Sequence, residues 1–535
     1  MKKTLTAVSG LCAFGCIFAT SNLFVDAEIL PKWLCLWMGI GIWCLVSAAG
    51  LLAGRGIRDG KDSRKLLTAV IALLGTCQAI CGFALPPRGL AMGSFDNTAG
   101  FAVCLCTTLP CCLLFLHERR PLWKILGGVS SLIVMTGIAF SLSRAGWLAL
   151  AVMLMVHFRK EVFLWVGRLP RAWQWGAGIV CASVLLGSLY AVYLFKKDSA
   201  DGRLLIWRCA LEIVADKPLL GHGPNAVECH YMDYQAAYLE AHPDNSKSLL
   251  ADNVKHLFNE YLEILVRYGM VGIGGLALFV LFLGRCYRKA LLRNPDDLRY
   301  LNLAGEVLAG IAVLAFFSYP LTYPFTWAMM TFSIFLLVFP VYSRTIVNVA
   351  VRYRYLLACG LFVASAVIFS RTVRRAQAEI EWNSLSNKVL FGNASEMLKE
   401  YGLLMPKLGN NPYFLYNYAA ELHLDGQYSS ADSIIGRCQR LWADYDLELL
   451  QGINNMGLGR YAEAEKHLQT AAQMVPSKFE PHYQLFLLYQ KKGDDDASVR
   501  KGKEIISKPV KLMTKDIEVI CKEVKDSIYQ TYFNQ

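Results

Sequence analysis

The sequence predicts an all-α protein, in which a polytopic bundle of membrane helices is followed by a C-terminal α-solenoid of helical repeats. The 535 residues are 55% hydrophobic, with a mean hydropathy of +0.35, which is too apolar for an ordinary soluble protein. The apolar residues form runs that are long enough to cross a bilayer as helices. Residues 377–535, by contrast, are polar and helical in period, and they contain an internal repeat.

The apolar runs predict about eleven membrane spans. They lie near residues 5–24, 33–54, 66–85, 98–116, 123–141, 145–158, 173–195, 259–284, 302–319, 324–343 and 355–370. The first run resembles a signal peptide, but the many spans behind it favour an uncleaved anchor. We therefore expect residues 1–376 to form a transmembrane domain.

Lysine and arginine are concentrated at the N-terminus and in alternate loops between the predicted spans. The positive-inside rule then places the N-terminus in the cytoplasm, and an odd number of spans places the C-terminus outside. Arg371, Arg374 and Arg375, which follow the last predicted span, disagree with this orientation. The net charge of +12 reflects topology and lipid contact, and it does not indicate nucleic-acid binding.

Most of the 17 cysteines lie in apolar runs, where cysteine packs as a small hydrophobic residue. The others show no CxxC spacing, so the sequence implies no zinc site. A disulfide between Cys209 and Cys229 has no support from the sequence.

A large polar loop, residues 196–257, interrupts the membrane pattern. An amphipathic helix at the membrane interface is predicted by four apolar residues at helical spacing, Leu204, Trp207, Leu211 and Val214. A helix stop and a tight turn follow at 217–225. The chain then re-enters the membrane through residues 259–262.

The C-terminal segment, residues 377–535, repeats a short motif. Gly426-Gln427-Tyr428 with Ala431 recurs as Gly459-Arg460-Tyr461 with Ala464, and a weaker copy begins at Gly493. This pattern resembles tetratricopeptide repeats, whose stacked helix pairs usually offer a concave surface to a partner. We expect a separate repeat domain that binds and does not catalyse.

Arg144 lies at the junction of two strongly apolar runs, in the motif Ser141-Leu142-Ser143-Arg144-Ala145-Gly146. A guanidinium in a span costs about 2.5 kcal/mol or more at the helix centre, so it needs an anionic partner or a route to the surface. Its planar fork of donors suits a phosphate. The alternative is an interfacial arginine that snorkels to the headgroups.

Further motifs follow Arg144 in a fixed order: Asp201-Gly202-Arg203, Gly221-His222-Gly223, His256-x-x-Asn259-Glu260 and Tyr268-Gly269-Met270-Val271-Gly272. Together these resemble the O-antigen ligase and O-antigen polymerase superfamily, which includes bacterial protein O-oligosaccharyltransferases. The resemblance covers about residues 90–345, and the joint order is more specific than any one motif. It implies an enzyme of the bacterial inner membrane that transfers a glycan from a polyprenyl-pyrophosphate carrier to a hydroxyl at the periplasmic face. It implies no metal, cofactor or nucleotide sugar.

The resemblance and the side-chain chemistry together suggest roles for individual residues. Arg144 and Arg203 are expected to stabilise the leaving pyrophosphate, although Arg203 could instead be a surface charge beside the loop helix. His256 is the expected general base. Many relatives carry a histidine immediately before the asparagine of this motif, where this chain has Phe258, so either His256 acts from a shifted position or the base lies elsewhere.

Four further residues are expected to bind substrate or to support the base: Ser143, His222, Asn259 and Glu260. His222 is also the reserve base, with a plain loop histidine as the alternative. Asn259 and Glu260 could instead cap the eighth span. Asp26 and Glu28 resemble a metal-binding acidic pair, but solvated charge is the favoured interpretation, and no metal site is predicted.

Ligase-type transfer is the first functional hypothesis, because a large outer loop and a binding module suit a bulky acceptor. A repeat-unit polymerase and a protein O-oligosaccharyltransferase share the donor chemistry and differ in the acceptor. A transporter or flippase, and a membrane scaffold that presents the repeats, are the alternatives from other classes. The expected partners are a lipid-linked glycan, a lipid or protein acceptor, membrane lipids and a protein that binds the repeats, with no nucleic acid.

Overall fold

A computed structural model describes residues 13–54, 61–84, 92–168, 197–243, 247–293, 297–389, 394–510 and 513–533, together with the isolated positions 10, 170, 176 and 194. Across these ranges the α-helix is the dominant element and no β-strand occurs. The predicted all-α fold class is confirmed.

Twelve of the helices in the described ranges precede the repeats. They are α1 Leu30–Leu52, α2 Lys61–Ala84, α3 Thr98–Leu114, α4 Pro121–Phe140, α5 Arg144–His157, α6 Arg159–Gly167, α7 Lys197–Asp216, α8 Ala226–Ala241, α9 Glu260–Arg293, α10 Leu298–Phe317, α11 Pro324–Arg352 and α12 Arg354–Val389. Eight of them, α1 to α4 and α9 to α12, are long and apolar enough to cross a membrane, and α5 is a shorter apolar helix.

These nine helices correspond to nine of the predicted spans. The predicted span near 173–195 lies almost entirely outside the described residues, and so does the first half of the span near 5–24. In the described part of the latter, a 3₁₀ helix, Gly15–Phe18, ends the helical structure well before residue 24.

The chain divides into two compact units, and the first comprises residues 1–192, 258–260 and 275–383. Within it, α3 is buried along almost its whole length and packs against α2, α4 and α10. Small residues allow the close approach, since a Cβ added at Gly137 of α4 would lie 2.7 Å from Leu105 Cδ1 of α3. Leu122, Ile125 and Leu132 of α4 are exposed, as expected for a helix face in contact with lipid.

The second unit comprises residues 193–257, 261–274 and 384–535. Its repeat helices are α13 Ala394–Leu408, α14 Pro412–Leu424, α15 Tyr428–Gln439, α16 Tyr445–Gly457, α17 Tyr461–Met474, α18 Glu480–Lys492, α19 Asp495–Ser507 and α20 Lys515–Phe533. Gly426, Gly459 and Gly493 have φ values of 78°, 73° and 71°, and each follows the first helix of a pair. Glycine adopts this left-handed conformation without steric cost. The predicted α-solenoid is confirmed, and the weak third copy forms a helix pair as well.

The polar loop contributes α7 and α8 to the second unit. The predicted helix α7 is present, but the residues that pack inside the unit are Leu205, Ile206, Cys209, Ala210 and Ile213. The face chosen from the sequence is rotated away from this one, and Leu204 and Leu211 remain 48% and 47% exposed. Cys209 and Cys229 are free thiols.

Candidate functional site

The Ser-x-Ser-Arg-x-Gly motif forms the turn that joins α4 to α5. Ser143 is the N-cap of α5, where its Oγ accepts from the Gly146 amide at 3.2 Å. The Ser141 Oγ accepts from the Ser143 amide at 3.2 Å. Leu142, between the two serines, has φ 51°, a strained value for a residue with a branched side chain. The motif therefore fixes a tight, overdetermined turn at the start of α5.

Arg144 is the first residue of α5 and is half-buried. The N-terminus of a helix carries partial positive charge from its unpaired amides. A guanidinium at this position adds to that charge instead of compensating it, so the start of α5 favours an anion. Gly146, the third residue of the helix, allows α5 to approach α3, because an added Cβ would lie 2.9 Å from Ala102 Cβ.

Asn259 and Glu260, at the start of α9, are 8% and 6% exposed. The Glu260 Oε1 accepts from the Leu321 amide at 2.9 Å, in the short 3₁₀ helix Pro320–Thr322 between α10 and α11. Glu260 thus joins the start of α9 to that turn. The predicted roles of both residues toward substrate remain predictions.

A polar network in the same unit was not anticipated from the sequence. The Asn97 side chain caps α3, and its Nδ2 contacts the hydroxyls of Tyr319 and Tyr323 at 3.1 and 2.9 Å. The Tyr323 hydroxyl lies 3.3 Å from Asp96 Oδ1, and burial raises the pKa of Asp96. The Tyr319 ring also packs on Phe258, with centroids 5.3 Å apart, so the network reaches the residue next to Asn259.

Lys32 is another residue that the sequence did not single out. Its side chain is 1% exposed, and its Nζ donates to the carbonyls of Glu28 and Ser94 at 2.7 and 2.6 Å. The only sign of this buried role in the sequence is the position of the lysine, within the first turn of an apolar run. Asp26 accepts from the amides of Glu28, Ile29 and Leu30 and therefore caps the start of α1.

In the second unit, the glycine motifs of the loop and of α9 are joined to each other. The helix α9 is interrupted at Gly269, where φ is 60° and ψ is −158°. The backbone groups freed there pair with the loop: the Met270 amide donates to the Pro218 carbonyl at 2.9 Å, and the His222 amide donates to the Val266 carbonyl at 3.0 Å. An added Cβ at Gly269 would lie 2.3 Å from the Leu219 oxygen. Only glycine fits this contact.

His222 lies in the same turn, and its Nε2 is 2.8 Å from the Ile213 carbonyl. A carbonyl can only accept, so Nε2 carries the proton and Nδ1 is the acceptor of the neutral ring. This bond ties the turn to the end of α7. His222 therefore has a clear bracing function in the fold.

His256 lies in the irregular segment 251–257 and is half-buried. Burial, followed by the charges of Arg267 and Lys255, lowers the pKa of His256 to about 4. The ring is therefore neutral at pH 7, which is the form that can accept a proton. Arg203 lies in the first half of α7 and is also half-buried. Ser143, Arg144, Asn259 and Glu260 belong to the first unit, whereas Arg203, His222 and His256 belong to the second.

Within the described parts of the chain, no group of three or more His, Cys, Asp or Glu side chains is arranged to hold a metal ion.

Comparison with known families identifies the region that holds these motifs. Residues 129–277 match the O-antigen ligase family. The predicted resemblance is thereby confirmed, and the match supports a membrane glycan ligase or polymerase type of function. Every candidate site residue, from Ser143 to Glu260, lies within the matched region. No curated protein matches the chain.

Among solved structures, the chain is similar to a chain of the APC/C hetero-tetramer Cut9–Hcn1. The two are 10% identical, the alignment covers 92% of this chain and 96% of the other, and the TM-score is 0.25. A score this low supports no argument about fold or function.

Proposed function

We propose that this protein transfers an oligosaccharide or polysaccharide from a polyprenyl-pyrophosphate carrier to an acceptor hydroxyl, in the manner of an O-antigen ligase. One observation carries the proposal. The region that matches the O-antigen ligase family, residues 129–277, contains the two arginines and the histidine to which we assign this chemistry. Membrane lipids and a lipid-linked glycan are accordingly its proposed partners.

The proposed reaction is a single displacement at the anomeric carbon. The acceptor oxygen forms a bond to that carbon while the bond from carbon to the pyrophosphate oxygen breaks, and the lipid pyrophosphate leaves with the electron pair. Arg144 and Arg203 stabilise the negative charge of the leaving group. His256 takes the proton of the acceptor hydroxyl, which its neutral ring allows.

Three of the other candidate residues support this chemistry by fixing the backbone around it. Ser143 caps the helix that begins with Arg144, and Glu260 fixes the start of α9. His222 braces the turn that closes against Gly269. We propose that Asn259 contacts the glycan. The reaction is proposed to need no metal ion, because two guanidinium groups supply the positive charge.

The proposed orientation follows the distribution of lysine and arginine. The N-terminus lies in the cytoplasm of a bacterial cell, and the loop 196–257 and the repeats face the periplasm. The proposed domains are a transmembrane domain, residues 1–376, and a repeat domain, residues 377–535, which has a surface for a protein partner.

A polymerase and a protein O-oligosaccharyltransferase are the second candidates, because they use the same donor. A transporter or flippase and a membrane scaffold are the candidates from other classes. A transferase and a flippase make opposite predictions about the carrier-linked glycan. Loss of a transferase leaves that glycan to accumulate on the outer face, whereas loss of a flippase removes it from there.

The decisive experiment uses the full-length protein in liposomes that contain a polyprenyl-pyrophosphate oligosaccharide. Lipid, saccharide and protein acceptors are supplied separately, each with and without a chelator. We expect one acceptor class to be glycosylated, and chelation to leave the rate unchanged. Absence of product with every acceptor would overturn the proposed function, and loss of product on chelation would overturn its metal independence. If the protein is instead a scaffold, Arg144→Ala and His256→Ala should leave its function in the cell intact. Deletion of residues 385–535 should then abolish that function.

A further inference from the structure

The segment 251–257, which carries His256, has no regular secondary structure but is held by the two helices of its own loop. The Trp207 Nε1 of α7 donates to the Leu257 carbonyl at 2.9 Å. The Val254 amide donates to the sulfur of Met232 in α8 at 3.4 Å. These contacts fix the segment on one side.

The repeats hold the same segment on its other side. The side chain of Asn253 hydrogen-bonds to Asp444, which is 1% exposed and is the N-cap of α16. The Lys255 Nζ lies 5.0 Å from the centroid of the Tyr413 ring in α14, which is within the range of a cation–π contact. Asn253 and Lys255, the two neighbours of Val254 in the chain, are thus in contact with the repeats, and Lys255 directly precedes His256.

Gln235 of α8 joins these two sides. It is fully buried, and its Nε2 donates to the Asp252 carbonyl at 3.0 Å and to the Met474 carbonyl at 2.7 Å. Its Oε1 accepts from the Tyr231 hydroxyl at 2.9 Å. One amide therefore satisfies a carbonyl of the His256 segment and a carbonyl at the end of α17. A buried carbonyl that loses its donor is costly, so this pairing specifies one arrangement.

Contacts between the loop and the repeats continue beyond Gln235. The Ala443 amide of the repeats donates to the Glu228 carbonyl of α8 at 2.8 Å, and the Cys229 Sγ lies 3.6 Å from the Arg440 carbonyl. Helix α8 packs on α17 along this line. The part of the solenoid surface that contacts α8 is occupied by this chain itself.

We propose that the repeats act in cis as a clamp on the His256 segment, and that Gln235 is a positioning residue for glycan transfer. This inference deepens the proposed function and rests on it for the catalytic part. The ligand of this repeat surface is the chain's own loop. The clamp explains why an irregular segment can present a histidine in one place.

The test compares the full-length protein with Gln235→Glu and Asn253→Ala. Glutamate keeps the size of glutamine but places an oxygen against the Asp252 and Met474 carbonyls. Asn253→Ala is the milder change, because it removes one side-chain contact and leaves Gln235 intact. Glu240→Gln, on the exposed side of α8, is the control. Amide hydrogen exchange is measured across residues 251–257 and across α18 and α19, and kcat and KM are measured in the liposome assay.

We expect exchange in 251–257 to rise by about tenfold in Gln235→Glu and less in Asn253→Ala, with α18 and α19 unchanged. The kcat should fall by about tenfold or more, while the donor KM changes little because Arg144 is untouched. Unchanged exchange in both variants would overturn the clamp. Faster exchange with unchanged kcat would overturn the positioning role. Faster exchange in a protein that never transfers glycan would retain the clamp and reject the proposed function.

Discussion

The two units of this protein use buried polar groups in different ways. Several buried hydroxyls in the membrane helices donate to carbonyls of their own helix, as in Thr68, Thr76, Thr107, Thr108 and Ser333, although Ser365 of α12 donates to the Gly41 carbonyl of α1. In the second unit, buried amides connect segments that are distant in sequence, as Gln235 does with Met474 and Asn454 does with Tyr428. In these examples the hydroxyls of the first unit other than that of Ser365 satisfy carbonyls of their own helix, whereas the amides of the second unit hold separate segments together.

Polar groups at the helix ends of the first unit are the exception. Substitution of Arg144 is the most direct test of their role. We expect Arg144→Ala to lower kcat by about a hundredfold or more, because the leaving pyrophosphate loses a fixed donor. Arg144→Lys should recover only part of the rate, since lysine lacks the bidentate fork. The measurement is glycan transfer in liposomes.

The control for this change is Arg120→Ala, an exposed arginine at the other end of α4. It should retain full activity. Equal losses in the two variants would mean that the arginines contribute only to general charge or to topology.

The contact between the loop turn and α9 can be broken at Gly269. Alanine there combines a left-handed φ with a Cβ 2.3 Å from the Leu219 oxygen, so we expect a loss of roughly 3 kcal/mol in the free energy of unfolding. At Gly274 an added Cβ meets nothing within 4 Å. Thermal unfolding of Gly269→Ala and Gly274→Ala in detergent should therefore differ clearly, and equal melting temperatures would contradict this account of the motif.

The pH dependence of the second unit should follow His256. Its pKa is lowered from 6.5 to about 4, so the unfolded chain binds the proton first as the pH falls. The stabilisation is fully present above pH 6.5 and is lost progressively between that pH and about 4. Unfolding of the protein and of His256→Gln, measured over this range, should diverge only on the acid side. If the two respond to pH in the same way, His256 is not buried as a neutral group.

The smallest expected effect concerns the repeat turns. Gly459 has φ 73° and open space around its Cβ position, so Gly459→Ala should cost about 1 kcal/mol through backbone strain alone. Gly436 lies inside α15, also with open space, and Gly436→Ala should stabilise by about 0.5–1 kcal/mol. Both changes in stability are measured by chemical denaturation, followed through the loss of helical structure in the repeats. If the two substitutions changed the free energy of unfolding in the same direction, the role of Gly459 as a left-handed turn residue would be contradicted.

Much of the fold could be predicted from the sequence, because apolar runs and a repeated glycine motif are local signals. The face of α7 could not, since both Leu204 and Leu205 are apolar and only the neighbours decide which one is buried. Lys32 and Asn97 were missed for a related reason. Lys32 bonds the Ser94 carbonyl and Asn97 bonds two tyrosine hydroxyls, all far along the chain, and no spacing rule connects such partners.

For the candidate site, the sequence identified the residue types and their order, and all of these residues lie within the region 129–277 that matches the O-antigen ligase family. Their roles in transfer remain predictions. What the sequence by itself determined is the membrane-helix pattern, the solenoid and the motifs, because these depend on periodicity and side-chain chemistry. Only the tertiary structure decided that Gly269 closes on the Leu219 carbonyl, that His256 is neutral, and that Gln235 joins the loop to the repeats. Each of these depends on which atoms exclude water from one another, and that is a property of the packed chain.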